Sequence, residues 1–385
     1  MMLRGRASED GTPAAVTGIA RPDRRTKHLV QRIAPGEIAI IDHKDLDRVA
    51  AETLVEAKVA AVVNAAPSVS GRYPNVGPLV VVAAGIPLID AVGTDVMLLV
   101  EDGTLVSVVD DEVRVGEDVV GVGERQTMES LERKIAAARS QIGDELERFA
   151  QNTLNYIQQE AHLLVDEPDV PDIPVRFRGR HVLVVVRGIG YKDDLEALRR
   201  SGYLQEMKPL LVGVDGGADA LREIGYQPDV IIGDMDSVSE QTLRSGATLV
   251  VHGYADPAEP TPGAGRLDDL GLEYATFRSA GTSEDIAMLM AFEQGAELIV
   301  AVGTHSSMVE FLDKGRPGMA STFLVRMRVG PILVDAKGVS KLYETRVRKR
   351  DLLFLVLAAF FTLVVITIIS DPVRLVLRGF LLPFK

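Results

Sequence analysis

The stretch Pro228–Ser237, PDVIIGDMDS, constrains the fold of this chain more than any other. Val230, Ile231 and Ile232 form a short β-branched apolar run, which reads as a strand buried on both faces of a parallel sheet. Gly233 and the carboxylates Asp234 and Asp236 follow at once, so the strand opens into a polar turn. A glycine there removes a side chain where the backbone turns or a ligand approaches. In open α/β sheets ligands bind outside the carboxyl ends of the strands. Two carboxylates one residue apart suit a hard cation such as Mg²⁺, which takes oxygen ligands and shares them with phosphates. A solvated acidic turn would satisfy the same ten residues, so the neighbouring strands decide the reading.

Those neighbours repeat the pattern. Val182–Val186 runs into Arg187-Gly188-Ile189-Gly190-Tyr191-Lys192 and then a helix, a geometry that offers backbone N–H groups and two cations to phosphate. Leu210–Val214 ends in Asp215-Gly216-Gly217-Ala218, Leu249–His252 leads to a Pro/Gly-rich loop, and Leu298–Val302 ends in Gly303-Thr304-His305-Ser306-Ser307. Thr282-Ser283-Glu284-Asp285 opens a further helix, with a hydroxyl cap and acids at its positive end. Repeated strand–turn–helix units predict a Rossmann-like, doubly wound parallel sheet over residues 181–340. Asp215, Asp234, Asp236 and Asp285 are the expected catalytic acids on its rim, the last three as metal ligands. Arg187, Gly188, Lys192, Gly216, Gly217, Ser237, Thr282, Thr304 and Ser306 are the expected cofactor-binding residues. Acids gathered on one rim repel each other without a cation, so the ligand expected is Mg²⁺ with ATP, ADP or another diphosphate. The cations available to its phosphates are Arg187, Lys192, Lys314 and Arg316.

The preceding half reads as a small mixed α/β domain over 35–122, with strands at Glu37–Ile41, Val59–Asn64, Pro78–Ala83 and Val96–Val100, and a helix over Leu46–Ala57 capped by Asp45. Ser68, Ser70, Arg72, Tyr73 and Asn75 lie in a loop able to hold an anion. Residues 1–34 read as a disordered basic arm. From 124 to 166 apolar or small residues recur at Leu131, Ile135, Ala138, Ile142, Leu146, Phe149, Thr153, Ile157 and Leu164, predicting a long helix with one continuous stripe. That stripe calls for a partner, either its copy in a homodimer or another domain. Residues 167–180, rich in Pro and Asp, read as a stiff linker.

The net charge of −13 argues against a nucleic-acid partner, and the absence of Cys excludes disulfides and thiolate zinc sites. Leu352–Ile369 carries no charge, and roughly 18 apolar residues span about 27 Å, which predicts a transmembrane helix over 351–370. The basic cluster Arg346–Arg350 would keep the body cytoplasmic and leave 371–385 as a short tail. The expected location is therefore the cell membrane, single-pass.

DGGA at 215–218 followed by PDVIIGDMDS at 228–237 resembles the catalytic domain of thiamine pyrophosphokinase. The resemblance covers roughly 181–310. It implies that Asp234, Asp236 and Asp285 hold Mg²⁺ and ATP. Met288 stands where that family has a Lys, and Gly303-Thr-His-Ser-Ser-Met stands where it has Gly-Gly-Arg-x-Asp-His. The whole layout, with TSEDIA and GTHSSMVEFLDKGR, is similar to the SteA-type cytokinetic ring proteins of actinobacteria. That likeness implies a place at the division septum and a membrane partner, SteB, that influences cell-wall hydrolysis. The expected function is a membrane-anchored scaffold that binds a nucleotide or diphosphate, with an active pyrophosphotransferase as the alternative.

Overall fold

The computed structural model describes residues 15–313, 315–342, 349–369 and 371–372. The chain divides into two units, Met1–Gly338 and Val339–Lys385. In the first unit the elements run β1 (Val16–Asp23), α1 (Thr26–Arg32), β2 (Ile38–Ile41), α2 (Arg48–Glu56), β3 (Ala61–Asn64), α3 (Gly77–Ala83), β4 (Leu88–Asp90), α4 (Val96–Leu99), β5 (Leu105–Val109), β6 (Glu112–Val115), β7 (Asp118–Val122) and β8 (Glu124–Arg125). Helices α5 (Met128–Glu160) and α6 (His162–Val165) follow. The second domain contains β9 (His181–Val185), α7 (Tyr191–Arg200), α8 (Tyr203–Met207), β10 (Leu210–Val214), α9 (Gly217–Glu223), β11 (Val230–Gly233), α10 (Glu240–Leu243), β12 (Thr248–Gly253), α11 (Ala264–Asp269), β13 (Ala275–Arg278), α12 (Ser283–Glu293), β14 (Leu298–Val302), α13 (Met308–Asp313), α14 (Ala320–Val329) and β15 (Leu333–Asp335).

The second domain is the expected doubly wound sheet. Its order is β13-β12-β11-β10-β9-β14-β15, and every pairing is parallel. The strands are buried on both faces, and α12, apolar all round, lies in the core against β9, β10, β11 and β14. Met288 is among its fully buried residues. Ile173 and Phe177 join the same core, so part of the segment expected as a stiff linker is packed onto the second domain.

The first domain extends further toward the N-terminus than expected. Its sheet has the order β7-β6-β5-β1-β2-β3-β4-β8, with β1 to β4 parallel. β1 lies between β5 and β2, so the part of 1–34 from Val16 onward is a central strand and a helix rather than a disordered arm. Residues 1–14 lie outside the described residues. The expected strands at 78–83 and 96–100 are the helices α3 and α4. Pro78 sits in the first turn of α3, where its missing N–H costs nothing, and burial of Val81 against α2 overrides the β propensity of the valine run. Asp47, not Asp45, caps α2 by accepting from Ala50 N at 2.9 Å. Asp45 instead accepts from Ser70 N and Oγ at 2.7 and 2.8 Å, which ties down the loop read as an anion site.

The long helix exists as α5. Its stripe buries Leu131, Ile135, Ala138 and Phe149 within this chain, packing on α3 of the first domain and α14 of the second, while Leu146, Leu154 and Tyr156 are exposed.

The second unit contains α15 (Lys349–Ile369). Among the described residues no helix is long and apolar enough to cross a membrane. The expected transmembrane helix over 351–370, and the single-pass membrane location built on it, are corrected accordingly. Arg346–Arg348 and the tail from 373 lie outside the described residues.

The turn after β11 depends on one close approach. Gly233 has φ +146°, and a Cβ there would lie 1.9 Å from Asp215 Oδ1. Gly233→Ala should lower stability by on the order of 2 kcal/mol, through strain and displacement of Asp215. Urea unfolding measures this, and an unchanged midpoint would contradict the tight turn.

Candidate functional site

Two neighbouring parallel strands, β10 and β11, set the site. Asp215 leaves β10 with φ +47°, and Met235 sits between Asp234 and Asp236 with φ +61°. Met235 is fully buried among Ala218, Ile231, Val238, Leu243 and Leu267, and its carbonyl accepts from Arg266 Nη1. With Met235 pinned inward, the flanking carboxylates turn outward; both are only half-buried. Asp236 N donates to Asp234 Oδ1 at 3.0 Å, and Met235 N to Asp215 Oδ1 at 3.2 Å. Gly216 N donates to Ser237 Oγ at 3.1 Å, joining the two turns. Burial, and then the charge of Asp234, push the Asp215 carboxyl up to about 7.

Asp215, Gly216, Asp234, Asp236, Ser237 and Arg187 line one wall of a cleft of about 720 Å³. The opposite wall comes from the first domain: Arg24, Arg25, Thr26 and Lys27 follow β1, and Asp42, His43 and Lys44 follow β2. Both walls are therefore built from the carboxyl ends of parallel strands, where open α/β sheets place ligands. Arg25 Nη1 lies 3.1 Å from Asp236 Oδ2, and Lys27 Nζ lies 3.3 Å from Asp236 Oδ2 and 3.9 Å from Asp234 Oδ2. These four cations, Arg24, Arg25, Lys27 and Lys44, were not singled out from the sequence. The signal was present: RPDRRTK directly follows the β1 segment, and Asp42-His-Lys follows a strand that was recognised.

The other expected site residues have different surroundings. Asp285 does not line the cleft. It is fully buried at the start of α12, where its Oδ2 accepts from Thr282 N at 3.0 Å, Ser321 Oγ at 3.1 Å and Thr322 Oγ1 at 2.9 Å. Burial, then Glu284, raise its pKa above the ordinary carboxylate value. Thr282 caps that helix by accepting from Asp285 N. Thr304 is buried and accepts from Arg326 Nη2 at 2.9 Å, while Ser306 N donates to Glu310 at 3.0 Å. Gly188 and Gly217 serve packing: a Cβ at either would lie 1.9 Å from a backbone carbonyl, of Gly303 and Val185 respectively. Lys192 pairs with Glu56 across a smaller pocket of about 390 Å³, which shares Arg187 with the cleft. Arg187 itself pairs with Glu223 at 3.3 Å. Lys314 lies outside the described residues, and Arg316 is exposed and does not line the cleft.

The expected three-acid metal set is thus corrected. Among the described residues no group of three or more His, Cys, Asp or Glu side chains is arranged to hold a metal. The capping geometry of α12 turns Asp285 back on its own N-terminus. What remains is an oxygen-only pair, Asp234 and Asp236. This donor set fits a Mg²⁺ ion that arrives with phosphates, for which one or two carboxylates suffice, and would hold a divalent ion without phosphates only weakly.

Comparison with known proteins matches residues 337–383 to the SteA-like C-terminal domain and residues 202–258 to the thiamin pyrophosphokinase catalytic domain. The chain is 30% identical over 119 residues to the 6-hydroxymethyl-7,8-dihydropterin pyrophosphokinase of Pyrococcus furiosus, covering 28% of this chain and 49% of that protein. Among solved structures, the thiamine pyrophosphokinase of Bacillus subtilis aligns at 24% identity over 35% of this chain and 52% of that one, with a TM-score of 0.22. The chain spans about half the length of each of these relatives.

The Asp215 carboxyl binds a proton in the folded state over a pH range where the unfolded chain has lost it. Stability from this group is full below about pH 4 and is lost as pH rises through about 7. Asp215→Asn keeps the acceptor for Met235 N and removes the buried charge. It should raise stability at pH 8 by on the order of 2 kcal/mol and have little effect near pH 4. Thermal melts across this range check it, and a uniform effect at all pH values would contradict it.

Proposed function

We propose that this chain is a binding protein for a magnesium-complexed nucleotide or other diphosphate, and that the ligand lies in the cleft between its two α/β domains. The observation that carries this reading is the pairing of opposite charges at one opening. Asp215, Asp234 and Asp236 stand on one wall, and Arg24, Arg25, Lys27 and Lys44 on the other, with Arg187 beside the acids. A diphosphate needs cations around its oxygens, and its metal needs one or two carboxylates. The pyrophosphokinase likeness over 202–258 supports the same ligand class.

Binding rather than turnover is favoured by α12. Its buried Met288 offers no cation to a transferring phosphoryl group, and Asp285, which does not line the cleft, gives its Oδ2 to hydrogen bonds within the fold. Catalysis of phosphoryl transfer depends on fixed positive charge at the developing transition state. The retention of Asp234 and Asp236 in the cleft is what favours the alternative, an active ATP-dependent pyrophosphotransferase.

The SteA-like C-terminal domain at 337–383 supports a scaffolding role in cell division, in which the bound ligand is a cue rather than a substrate. A SteB-like partner and a homodimer belong to this proposal. The exposed Leu146, Leu154 and Tyr156 on α5 are the surface offered for self-association.

Calorimetry of the full chain with Mg²⁺ and ADP tests the reading. One saturable site per chain is expected, weakened at least tenfold by Asp236→Ala. Absence of both heat and thermal shift would defeat it. Release of AMP from ATP with thiamine or a hydroxymethylpterin as acceptor, abolished by the same substitution, would establish the enzyme instead.

A further inference from the structure

The ion pairs across the cleft carry an inference about how the ligand enters, resting on the diphosphate reading above. Arg25 and Lys27 occupy the carboxylates that a divalent ion would use, Asp236 and Asp234. We infer that these two cations are exchangeable counter-ions: the metal displaces them from Asp234 and Asp236, and they transfer to the phosphate oxygens that the metal brings in. Metal and diphosphate then bind as a coupled pair, and the first domain reads the occupancy of the second.

Three features of the structure support the exchange. First, the pairs are loose. Side chains of Arg25 and Lys27 are 61% and 41% exposed, and those of Asp236 and Asp234 are 31% and 43% exposed. Solvated pairs of this kind are weak and open to displacement by a divalent ion. Second, the backbone that carries the cations is fixed, so only their tips need to move. Arg21 pairs with Glu37 and with Asp102 at 2.7 and 2.9 Å, Arg32 Nη2 donates to the carbonyl of Pro22 at 2.6 Å, and the buried Thr26 shares a hydrogen bond with His43 Nδ1 at 2.9 Å. The first turn of α1 contains no acid, and among the described residues the side chains of Arg25 and Lys27 find their counter-charges across the cleft.

Third, the charge count selects a ligand that carries both signs. The cleft is lined by Arg24, Arg25, Lys27, Lys44 and Arg187 against Asp42, Asp47, Asp215, Asp234 and Asp236. Asp215 is partly protonated at neutral pH, so five cations face four full negative charges and a fraction of a fifth, and the lining is close to neutral. A divalent ion alone would leave about two uncompensated positive charges close to Arg25 and Lys27. An ion bound to ADP adds a net charge of about −1, which Arg24 and Lys44, unpaired with any acid among the described residues, are placed to meet. Coupling of this kind is reciprocal, each component tightening the other by the same factor.

The test compares the full-length wild type with Arg25→Gln/Lys27→Gln, titrated with Mn²⁺ alone and with Mn²⁺–ADP. Removing the competing cations should tighten Mn²⁺ alone at least threefold and weaken Mn²⁺–ADP at least tenfold. The opposite signs are the signature, since a variant that merely damages the fold weakens both. Asp236→Asn supplies the control: in that background Arg25→Gln should no longer tighten Mn²⁺. An unchanged or weakened affinity for Mn²⁺ alone in the double variant overturns the exchange, while leaving the diphosphate reading intact if ADP still binds. If the wild type takes no ADP, that reading fails, and the Mn²⁺ arm still decides whether Arg25 and Lys27 compete for the carboxylates.

Discussion

Crowding of carboxylates at two adjacent strand ends is the constraint from which the rest of the site follows. β10 and β11 are paired in register, so the residues that leave them emerge side by side. Gly233 lets the backbone pass so close to Asp215 that no side chain fits between them, and burial of Met235 fixes the direction of the acids on either side of it. Negative charge held this rigidly must be neutralised. Part of the answer is a proton, since Asp215 is pushed up to about 7. The other part comes from the first domain, through Arg25 and Lys27. The first domain thus supplies positive charge beside acids that a proton neutralises only in part.

The first domain meets that demand with the same architecture. Its parallel strands β1 and β2 direct their carboxyl ends toward the cleft, so that residues 24–27 and 42–44 form its wall. The long helix α5 packs on elements of both domains and gives the two sheets a common support. A single doubly wound domain binds ligand against solvent or a lid. Here the lid is itself a folded sheet, held by its own ion-pair network of Arg21, Glu37, Arg32 and Asp102.

Strands β9, β10, β11, β12 and β14 of the second sheet were legible because each is a short apolar, largely β-branched run followed by a glycine turn, whereas the edge strands β13 (ATFR) and β15 (LVD) lack that pattern and were not read as strands. The acidic turn was legible for the same reason. Less visible was the first strand, VTGIARPD, where Val16, Ile19 and Ala20 are interrupted by Gly18, Arg21 and Pro22 and the arginines that follow resemble a disordered tail. Val80–Val82 reads as a strand by composition, yet the proline in the first turn and the packing of Val81 make it a helix. Asp285 illustrates a different limit. Its place three residues into α12 is compatible with a metal ligand or a capping carboxylate. Only the approach of Ser321 and Thr322 from a helix far along the chain decides for the cap.

The same limit bears on chemistry. A rate acceleration in phosphoryl transfer requires donors already fixed where charge develops, so that nothing reorganises at the moment of reaction. In this chain the cations nearest the acids are long, half-exposed side chains from another domain, engaged with Asp234 and Asp236. The helix that could have carried a fixed cation presents Met288 to the core instead. Cations that must first let go of a carboxylate are poorly suited to pre-organised catalysis and well suited to reporting that a ligand has arrived. The acidic turn lies within the stretch that matches the thiamin pyrophosphokinase catalytic domain, while the cations nearest it come from the other domain and are partly exposed.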